Sequence, residues 1–224
     1  MSGRAARAPF ALALLACAAA ASVPSAAQPA ADAAALRAVY GLDEPFATTF
    51  RVLDRTSYPA FVALPVGMGA HALLTDGSVA PALRVAASEA AVVALVLPLK
   101  SLVRRPRPYA AMPGVAARTG GTHPRASMPS GHSALAFASA TSVALSHPKA
   151  ALPAFAWASG VAAARVWHGV HYPSDVLAGA AIGAGVAYGV HRVLPNRVLE
   201  LRDGSASRAP SGVVVPLGTV RWTF

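Results

Sequence analysis

Residues 165–179 of this 224-residue chain read RVWHGVHYPSDVLAG, and the interpretation of the fold starts from them. Arg165 lies at the end of one apolar, alanine-rich segment, and Pro173 lies at the start of another. Proline suits the first turn of a helix, where its missing N–H needs no partner. If that helix includes both His171 and Asp175, the two side chains share a face and the carboxylate can orient the imidazole. Such a histidine can act as a base, a nucleophile or a metal ligand, although a surface ion pair is an alternative for this spacing alone.

Five apolar stretches make up most of the chain around this boundary. They are rich in Ala and Gly and lack the alternation of a half-buried strand, so we interpret them as helices. A membrane-spanning helix needs about 20 mostly apolar residues, and these stretches are near or below that length. Because there are five such apolar helices and their small residues allow close packing in lipid, the sequence predicts an all-α fold, a multi-pass transmembrane helical bundle. The stretches cover about residues 57–74, 79–103, 133–147, 150–167 and 174–194.

The composition agrees with a membrane protein that binds anions. Apolar residues make up 55% of the chain and charged residues only 12%, against about 25% charged residues in average proteins. This argues against a disordered chain, a coiled coil and an ordinary cytosolic globule, and it leaves a membrane protein or an unusually apolar helical bundle. The net charge of +10 favours phosphates or lipid headgroups as partners, rather than nucleic acid, because the charge is not spread along a hydrophilic face. The single cysteine, Cys17, excludes a disulfide framework and a cysteine metal site.

Residues 1–27 have the features of an export signal. Arg4 and Arg7 precede an apolar stretch, and small residues precede a cleavage site before residue 28. An uncleaved first membrane helix and a lipoprotein signal at Cys17 are the alternatives. All three interpretations place the rest of the chain, from residue 28, outside the cytoplasm.

The remainder of the chain divides into three segments by composition. Residues 28–56 are mixed in polarity and predict an exposed periplasmic lead-in with some helix. Residues 57–195 form the predicted helical core. Residues 196–224 are a C-terminal tail, to which we assign no function.

Cations dominate the middle of the chain, since no acidic residue lies between Glu89 and Asp175. A positive cytoplasmic loop would explain such a run, but Lys100 and Arg165 lie at the ends of apolar stretches. A cation in that position needs an anion nearby, and a bound phosphate would supply it, because guanidinium groups bind phosphate oxygens in a bidentate manner. The eight cations between the two acids are Lys100, Arg104, Arg105, Arg107, Arg118, Arg125, Lys149 and Arg165.

The tetrapeptide Pro129-Ser130-Gly131-His132 precedes a long alanine-rich run. Ser130 is a natural N-cap for the helix that this run predicts. Gly131 lets a ligand approach the backbone, and the N–H groups of the first helical turn would face an anion. A simple turn and cap is the alternative for this tetrapeptide taken alone.

Three clusters stand out, namely the cationic stretch from Lys100 to Pro108, the tetrapeptide at 129–132 and the segment from Arg165 to Asp175. In this order and spacing they resemble the signature of the type 2 phosphatidic acid phosphatase / vanadium haloperoxidase superfamily. The resemblance covers roughly residues 57–194, and residues 169–179 resemble the membrane-bound branch in particular. One position departs from the signature, because Ala164 stands where the family has Ser. We expect activity to survive this loss of one hydroxyl. The matching residues are Lys100, Arg107 and Pro108, then residues 129–132, then Arg165, His171 and Asp175.

The resemblance implies a metal-independent and cofactor-independent phosphatase. His171 would attack phosphorus to form a phosphohistidine, Asp175 would fix the tautomer of His171, and His132 would protonate the leaving oxygen. Arg104 and Arg105 would either steer the substrate or face solvent and headgroups. The phosphoryl oxygens would be bound by Lys100, Arg107, Arg165, the Ser130 hydroxyl and the Gly131 N–H.

The implied substrate is a lipid phosphate or diphosphate, such as phosphatidic acid, phosphatidylglycerol phosphate, undecaprenyl diphosphate or a lipid A phosphate. With five helices after an exported N-terminus, the three motifs would face the periplasm from the bacterial inner membrane. The alternatives are a soluble periplasmic non-specific acid phosphatase of the same superfamily and a non-catalytic phosphate-binding membrane protein.

Overall fold

The structure is a computed structural model, which describes residues 30–120 and 123–194. These residues contain helices and no strands, which confirms the predicted all-α class. The export signal at 1–27 and the tail at 196–224, both predicted from sequence, lie outside the described residues. The helices are α1 (Ala30–Tyr40), α2 (Phe46–Leu74), α3 (Ala80–Val103), α4 (Gly131–Ser146), α5 (Ala151–Trp167) and α6 (Pro173–Val193), with short helical turns at Pro108–Ala111 and Pro148–Ala150.

Helix α4 is the central helix, and it packs against α3, α5 and α6. Its contact with α6 is close because α6 has glycines where it crosses α4. A Cβ atom at Gly183 would collide with the carbonyl oxygen of Ala134, and one at Gly179 would collide with that of Ser130. Small residues allow helix backbones to approach closely in this way. The close approach brings the start of α4 against the start of α6, where the backbone N–H of Ser130 donates to the carbonyl of Asp175 at 3.0 Å.

Three of the described helical segments are long and apolar enough to cross a membrane. They are Phe46–Leu74, Ala80–Ala111 and Pro173–Val193. Their outward faces carry exposed apolar side chains, such as Val66 and Leu177, as a lipid-facing surface requires. Helices α4 and α5 are shorter, at 16 and 17 residues.

The segment before residue 57 differs from the exposed lead-in that the sequence predicts. Helix α2 begins at Phe46 and continues without a break to Leu74. Helix α1 packs against α5 and α6, and its Leu36 is fully buried. The described part of this segment therefore belongs to the packed bundle, and it supplies two acidic residues to the site described below.

Candidate active site

The residues predicted from the three motifs meet at one end of the bundle. Lys100 lies in the last turn of α3, and Arg165 lies in the last turn of α5. Ser130 caps the start of α4, and Asp175 lies in the first turn of α6. Ser130 and Asp175 are fully buried. The other six predicted residues line one cavity of about 340 Å³, namely Lys100, Arg107, Gly131, His132, Arg165 and His171.

His171 has a different partner on each ring nitrogen. Its Nε2 lies 3.1 Å from Nη1 of Arg107, and its Nδ1 lies 3.6 Å from Oδ2 of Asp175. A guanidinium group only donates hydrogen bonds, so Nε2 accepts and the ring proton is assigned to Nδ1, which faces the carboxylate. This tautomer leaves the lone pair of Nε2 on the side of the cations.

Burial keeps His171 uncharged. The side chain is 2% exposed, and this burial lowers the pKa of His171 to about 3, while Asp175 opposes the change and Lys100 and Arg107 reinforce it. The imidazole is therefore neutral at pH 7, and its Nε2 lone pair is available to accept a hydrogen bond or to attack an electrophile. The geometry differs from the predicted shared helix face, because α6 begins at Pro173. His171 precedes the helix, and Asp175 reaches it across the first turn.

The carboxylate of Asp175 is held by groups that the three motifs do not include. Its Oδ2 accepts hydrogen bonds from the Ser127 hydroxyl at 2.5 Å and from the Tyr172 backbone N–H at 2.8 Å. Its Oδ1 accepts from Nη1 of Arg105 at 2.6 Å. Arg105 also forms an ion pair at 2.7 Å with Asp32 of α1. The sequence placed Arg105 near the cations but gave no sign of its two acidic partners.

Lys100 and Arg107 are held by backbone carbonyls. Nζ of Lys100 donates to Ala126 at 2.9 Å. Arg107 donates from Nε to His123 at 2.8 Å and from Nη1 to Val170 at 2.7 Å. Carbonyl groups orient these cations without cancelling their charge, so both remain able to bind an anion in the cavity.

Arg165 is paired with an acidic residue in this structure. Its Nη1 contacts Oδ1 of Asp54 in α2, and the other oxygen of Asp54 lies 3.5 Å from Nε2 of His168. The sequence suggested a bound phosphate as the counterion of Arg165, because no acid lies near it along the chain. The structure shows that Asp54, 111 residues away, supplies one counterion.

His132 also lines the cavity, at the start of α4. Its ring stands edge-on to the ring of Tyr58, with the centroids 4.4 Å apart. The Ser130 hydroxyl accepts a hydrogen bond from the Ser133 N–H at 3.4 Å, as an N-cap does. The helix start and its unpaired N–H groups therefore border the cavity beside His132. Within residues 30–120 and 123–194, no three His, Cys, Asp or Glu side chains are grouped as metal ligands would be.

The cavity continues from the cations along an apolar wall. Val92, Val96 and Leu97 of α3 line it together with Leu135 of α4. Val92 lies eight residues from Lys100, which corresponds to about 12 Å along the helix axis. The same cavity therefore offers charged groups at one end and aliphatic side chains along its length.

The bundle is a helical protein with three segments able to cross a membrane, and cationic side chains line a cavity at one end of it. Residues 81–199 match the sequence profile of the PAP2 superfamily, so the chain belongs to that superfamily. No curated protein sequence matches it at a significant level.

Two crystal structures share the fold. The transmembrane PAP2 type phosphatidylglycerolphosphate phosphatase from Bacillus subtilis matches with a TM-score of 0.65 at 22% identity, over 84% of this chain and 94% of that chain. LpxE from Aquifex aeolicus matches with a TM-score of 0.54 at 24% identity, over 70% of this chain and 92% of that chain. At these identities the matches establish the architecture, the membrane PAP2 fold, which agrees with the fold predicted from sequence.

Proposed function

We propose that this protein is a membrane phosphatase that hydrolyses a lipid phosphate or diphosphate through a phosphohistidine on His171. The observation that carries the proposal is the single cavity in which Lys100 and Arg107 adjoin an apolar wall. A water-soluble phosphate ester would need only the cationic end. A lipid phosphate would fill both parts, with its phosphate at the cations and its chains along Val96 and Leu97.

The first chemical step uses the two histidines that line the cavity. Burial, reinforced by Arg165, lowers the pKa of His132 to about 3 in this structure, so its protonation requires the negative charge of a bound phosphate. In that complex, Nε2 of His171 attacks phosphorus while the bond from phosphorus to the leaving oxygen breaks, and protonated His132 transfers its proton to that oxygen. In this structure Nη1 of Arg107 is hydrogen-bonded to Nε2 of His171. Arg107 would turn to a phosphoryl oxygen of the substrate and so free the lone pair of Nε2. Lys100 and the Gly131 N–H stabilise the remaining negative charge on the transferring group.

The second step releases inorganic phosphate. A water molecule attacks phosphorus, the bond from phosphorus to Nε2 breaks, and neutral His132 accepts a proton from the water. Asp175 supports both steps because its carboxylate faces Nδ1 of His171 and stabilises the positive ring of the intermediate. Each group ends in its starting state, so the cycle requires no metal ion and no cofactor.

We propose a periplasmic orientation for the site. The opposite end of the bundle carries Lys149 between α4 and α5, and Arg192 in the last turn of α6. Positive residues beside membrane helices favour the cytoplasmic side. At the site end, Lys100, Arg107 and Arg165 line the cavity, and Arg105 and Arg165 pair with Asp32, Asp54 and Asp175. Arg104, Arg118 and Arg125 are exposed at that end, so the main support for this orientation is the export signal that the sequence predicts.

The neighbour from Bacillus subtilis, a phosphatidylglycerolphosphate phosphatase, makes phosphatidylglycerol phosphate the first substrate to test. Phosphatidic acid, undecaprenyl diphosphate and a lipid A phosphate complete the lipid panel, with p-nitrophenyl phosphate as the soluble ester. Phosphate release would be measured in detergent with EDTA present. We expect activity in EDTA and a higher kcat/KM for at least one lipid than for the soluble ester.

Two matched pairs of variants test the proposal. His171→Gln should abolish turnover, while His71→Gln, at an exposed histidine away from the cavity, should not.

Leu97→Gln should lower kcat/KM for the lipid only, because Leu97 lines the cavity. Leu102→Gln on the same helix serves as its control, because Leu102 is 77% exposed. Equal effects of Leu97→Gln on lipid and soluble substrates would contradict a lipid substrate, and loss of activity in EDTA that zinc or magnesium restores would contradict the mechanism.

A further inference from the structure

Asp32 of helix α1 is buried against the start of α6. Its side chain is 7% exposed. Oδ1 accepts the backbone N–H of Ser174 at 3.0 Å, and Oδ2 accepts the Ser174 hydroxyl at 2.6 Å. The first N–H groups of a helix have no partner within the helix, and its N-terminus favours negative charge. Asp32 therefore stabilises the same helical turn that carries Asp175.

Arg105 connects this carboxylate to Asp175. Its Nη2 donates to Asp32 at 2.7 Å, and its Nη1 donates to Oδ1 of Asp175 at 2.6 Å and to the Ser174 hydroxyl at 2.7 Å. The guanidinium carbon lies 4.2 Å from the centroid of the Tyr172 ring. One cation thus lies between two carboxylates, and only one of these faces His171.

The charges of these three residues contribute to the electrostatic potential at His171. Arg105 carries one positive charge, and Asp32 and Asp175 carry one negative charge each, so the group has a net charge of −1. If Asp32 were uncharged, Arg105 would neutralise Asp175. Charges interact strongly in a buried site, so a positive ring on His171 would lose much of its counterion.

Helix α1 is anchored to the bundle by apolar contacts as well. Leu36, one turn after Asp32, is fully buried in a cluster with Val115, Val166 and Tyr172. The position of Asp32 is therefore determined by the packing of α1 and not by the ion pair alone.

We propose that Asp32 is a positioning residue for the His171–Asp175 pair, which acts through Arg105 and Ser174. In consequence, the docking of α1 onto the bundle completes the site. The inference rests on the proposed phosphohistidine mechanism, and it extends that mechanism to a helix outside the three motifs.

The test uses the full-length protein in detergent and the best substrate of the panel above. Asp32→Asn should lower kcat by about 10- to 100-fold, the usual cost of losing a group that orients a site residue. KM should change by less than about threefold, because Lys100, Arg107 and Gly131 do not contact Asp32. Asp43→Asn removes the same charge at an exposed position between α1 and α2, and it should leave both parameters unchanged.

A double variant separates an effect of charge from an effect of packing. Asp32→Asn combined with Arg105→Gln restores the net charge of −1 beside His171. If Asp32 acts through the charge of Arg105, the double variant should have a higher kcat than Asp32→Asn alone. If both residues serve only the packing of α1, the double variant should be the less active of the two.

The inference is overturned if Asp32→Asn retains the kcat of Asp43→Asn, or if it raises KM while kcat is unchanged. It is also overturned if the double variant is less active than the single variant at equal amounts of folded protein, measured by size-exclusion chromatography and thermal unfolding. Ser174→Ala, which removes only one hydroxyl, provides a milder variant should Asp32→Asn fold poorly, and it should lower kcat with KM unchanged. An inactive wild-type protein would reject the proposed function itself, whereas an active wild type with unaffected Asp32 variants would reject this inference alone.

Discussion

Acidification from pH 7 to pH 5 should leave the nucleophile of the free protein almost fully reactive. A histidine with an ordinary pKa of about 6.5 would be only ~3% neutral at pH 5, a loss of roughly 25-fold relative to pH 7. Burial lowers the pKa of His171 to about 3, so about 99% of the imidazole stays neutral at pH 5 by the same relation. The reactivity of this group should therefore fall by a few per cent at most, and it should decline only as the pH approaches 3.

The measurement must isolate His171 from the second histidine of the cavity. We would use a His132→Ala variant and p-nitrophenyl phosphate, whose good leaving group does not need a proton. The parameter is kcat/KM, because its pH dependence reports ionisations of the free enzyme. The values are corrected for the ionisation of the substrate, determined separately by phosphorus NMR.

The assignment of a buried, neutral His171 would be refuted if the corrected kcat/KM fell about 25-fold between pH 7 and pH 5 and followed one group with a pKa near 6.5. Thermal unfolding at each pH provides the control for loss of folded protein.

The same lowered pKa of His171 should make the folded protein less stable in acid. The unfolded chain binds a proton at this histidine below pH 6.5 and the folded protein does not, so stability should fall between pH 6.5 and 3. His171→Gln should make that decline shallower.

Three further predictions concern the other groups of the cavity. His132→Ala should lower the rate about 10²- to 10⁴-fold for a lipid phosphate, whose leaving group needs a proton, but much less for p-nitrophenyl phosphate; equal losses would contradict its role as general acid. Asp54→Asn should strengthen inhibition by inorganic phosphate, since it releases Arg165 to bind the anion, and an unchanged inhibition constant would count against that competition. Vanadate, which can adopt the geometry of the transferring phosphoryl group, should inhibit competitively, and its failure to do so at millimolar concentration would argue against the cavity as the phosphate site.

The helices could be predicted from the sequence because their signals are local. The stretches predicted at 79–103 and 150–167 correspond to α3 at Ala80–Val103 and α5 at Ala151–Trp167. The start of α2 was placed too late, since Arg51 and Asp54 give its first turns a polar sequence. In the structure these residues form ion pairs with Glu44 and Arg165, so the polar turns are compatible with a continuous helix.

The site could be predicted only as far as its motifs extend. The eight motif residues gather as expected from the resemblance, because each motif lies at a helix end on the same side of the bundle. Asp32 and Asp54 could not be found, since they lie 73 and 111 residues from the arginines that they contact. No local pattern gives the distance between such positions. Arg105 was visible as part of a cationic run, but its role depends on partners that only the packed structure reveals.

Under the proposed function, the acidic partners explain how a site with so many cations can bind and still release a phosphate. The cavity and the residues that support it contain four cations, Lys100, Arg105, Arg107 and Arg165, against three carboxylates, Asp32, Asp54 and Asp175. With both His132 and His171 neutral, their net charge is +1. A bound phosphate dianion changes that charge to −1, so neither state carries a large excess. Four cations without the acids would leave a charge of +4. Such a site would bind the product phosphate tightly as well as the substrate, so it would gain affinity without gaining turnover. On this proposal, Asp32 of α1 and Asp54 of α2 supply the negative charge that favours release, while the motif residues perform the chemistry.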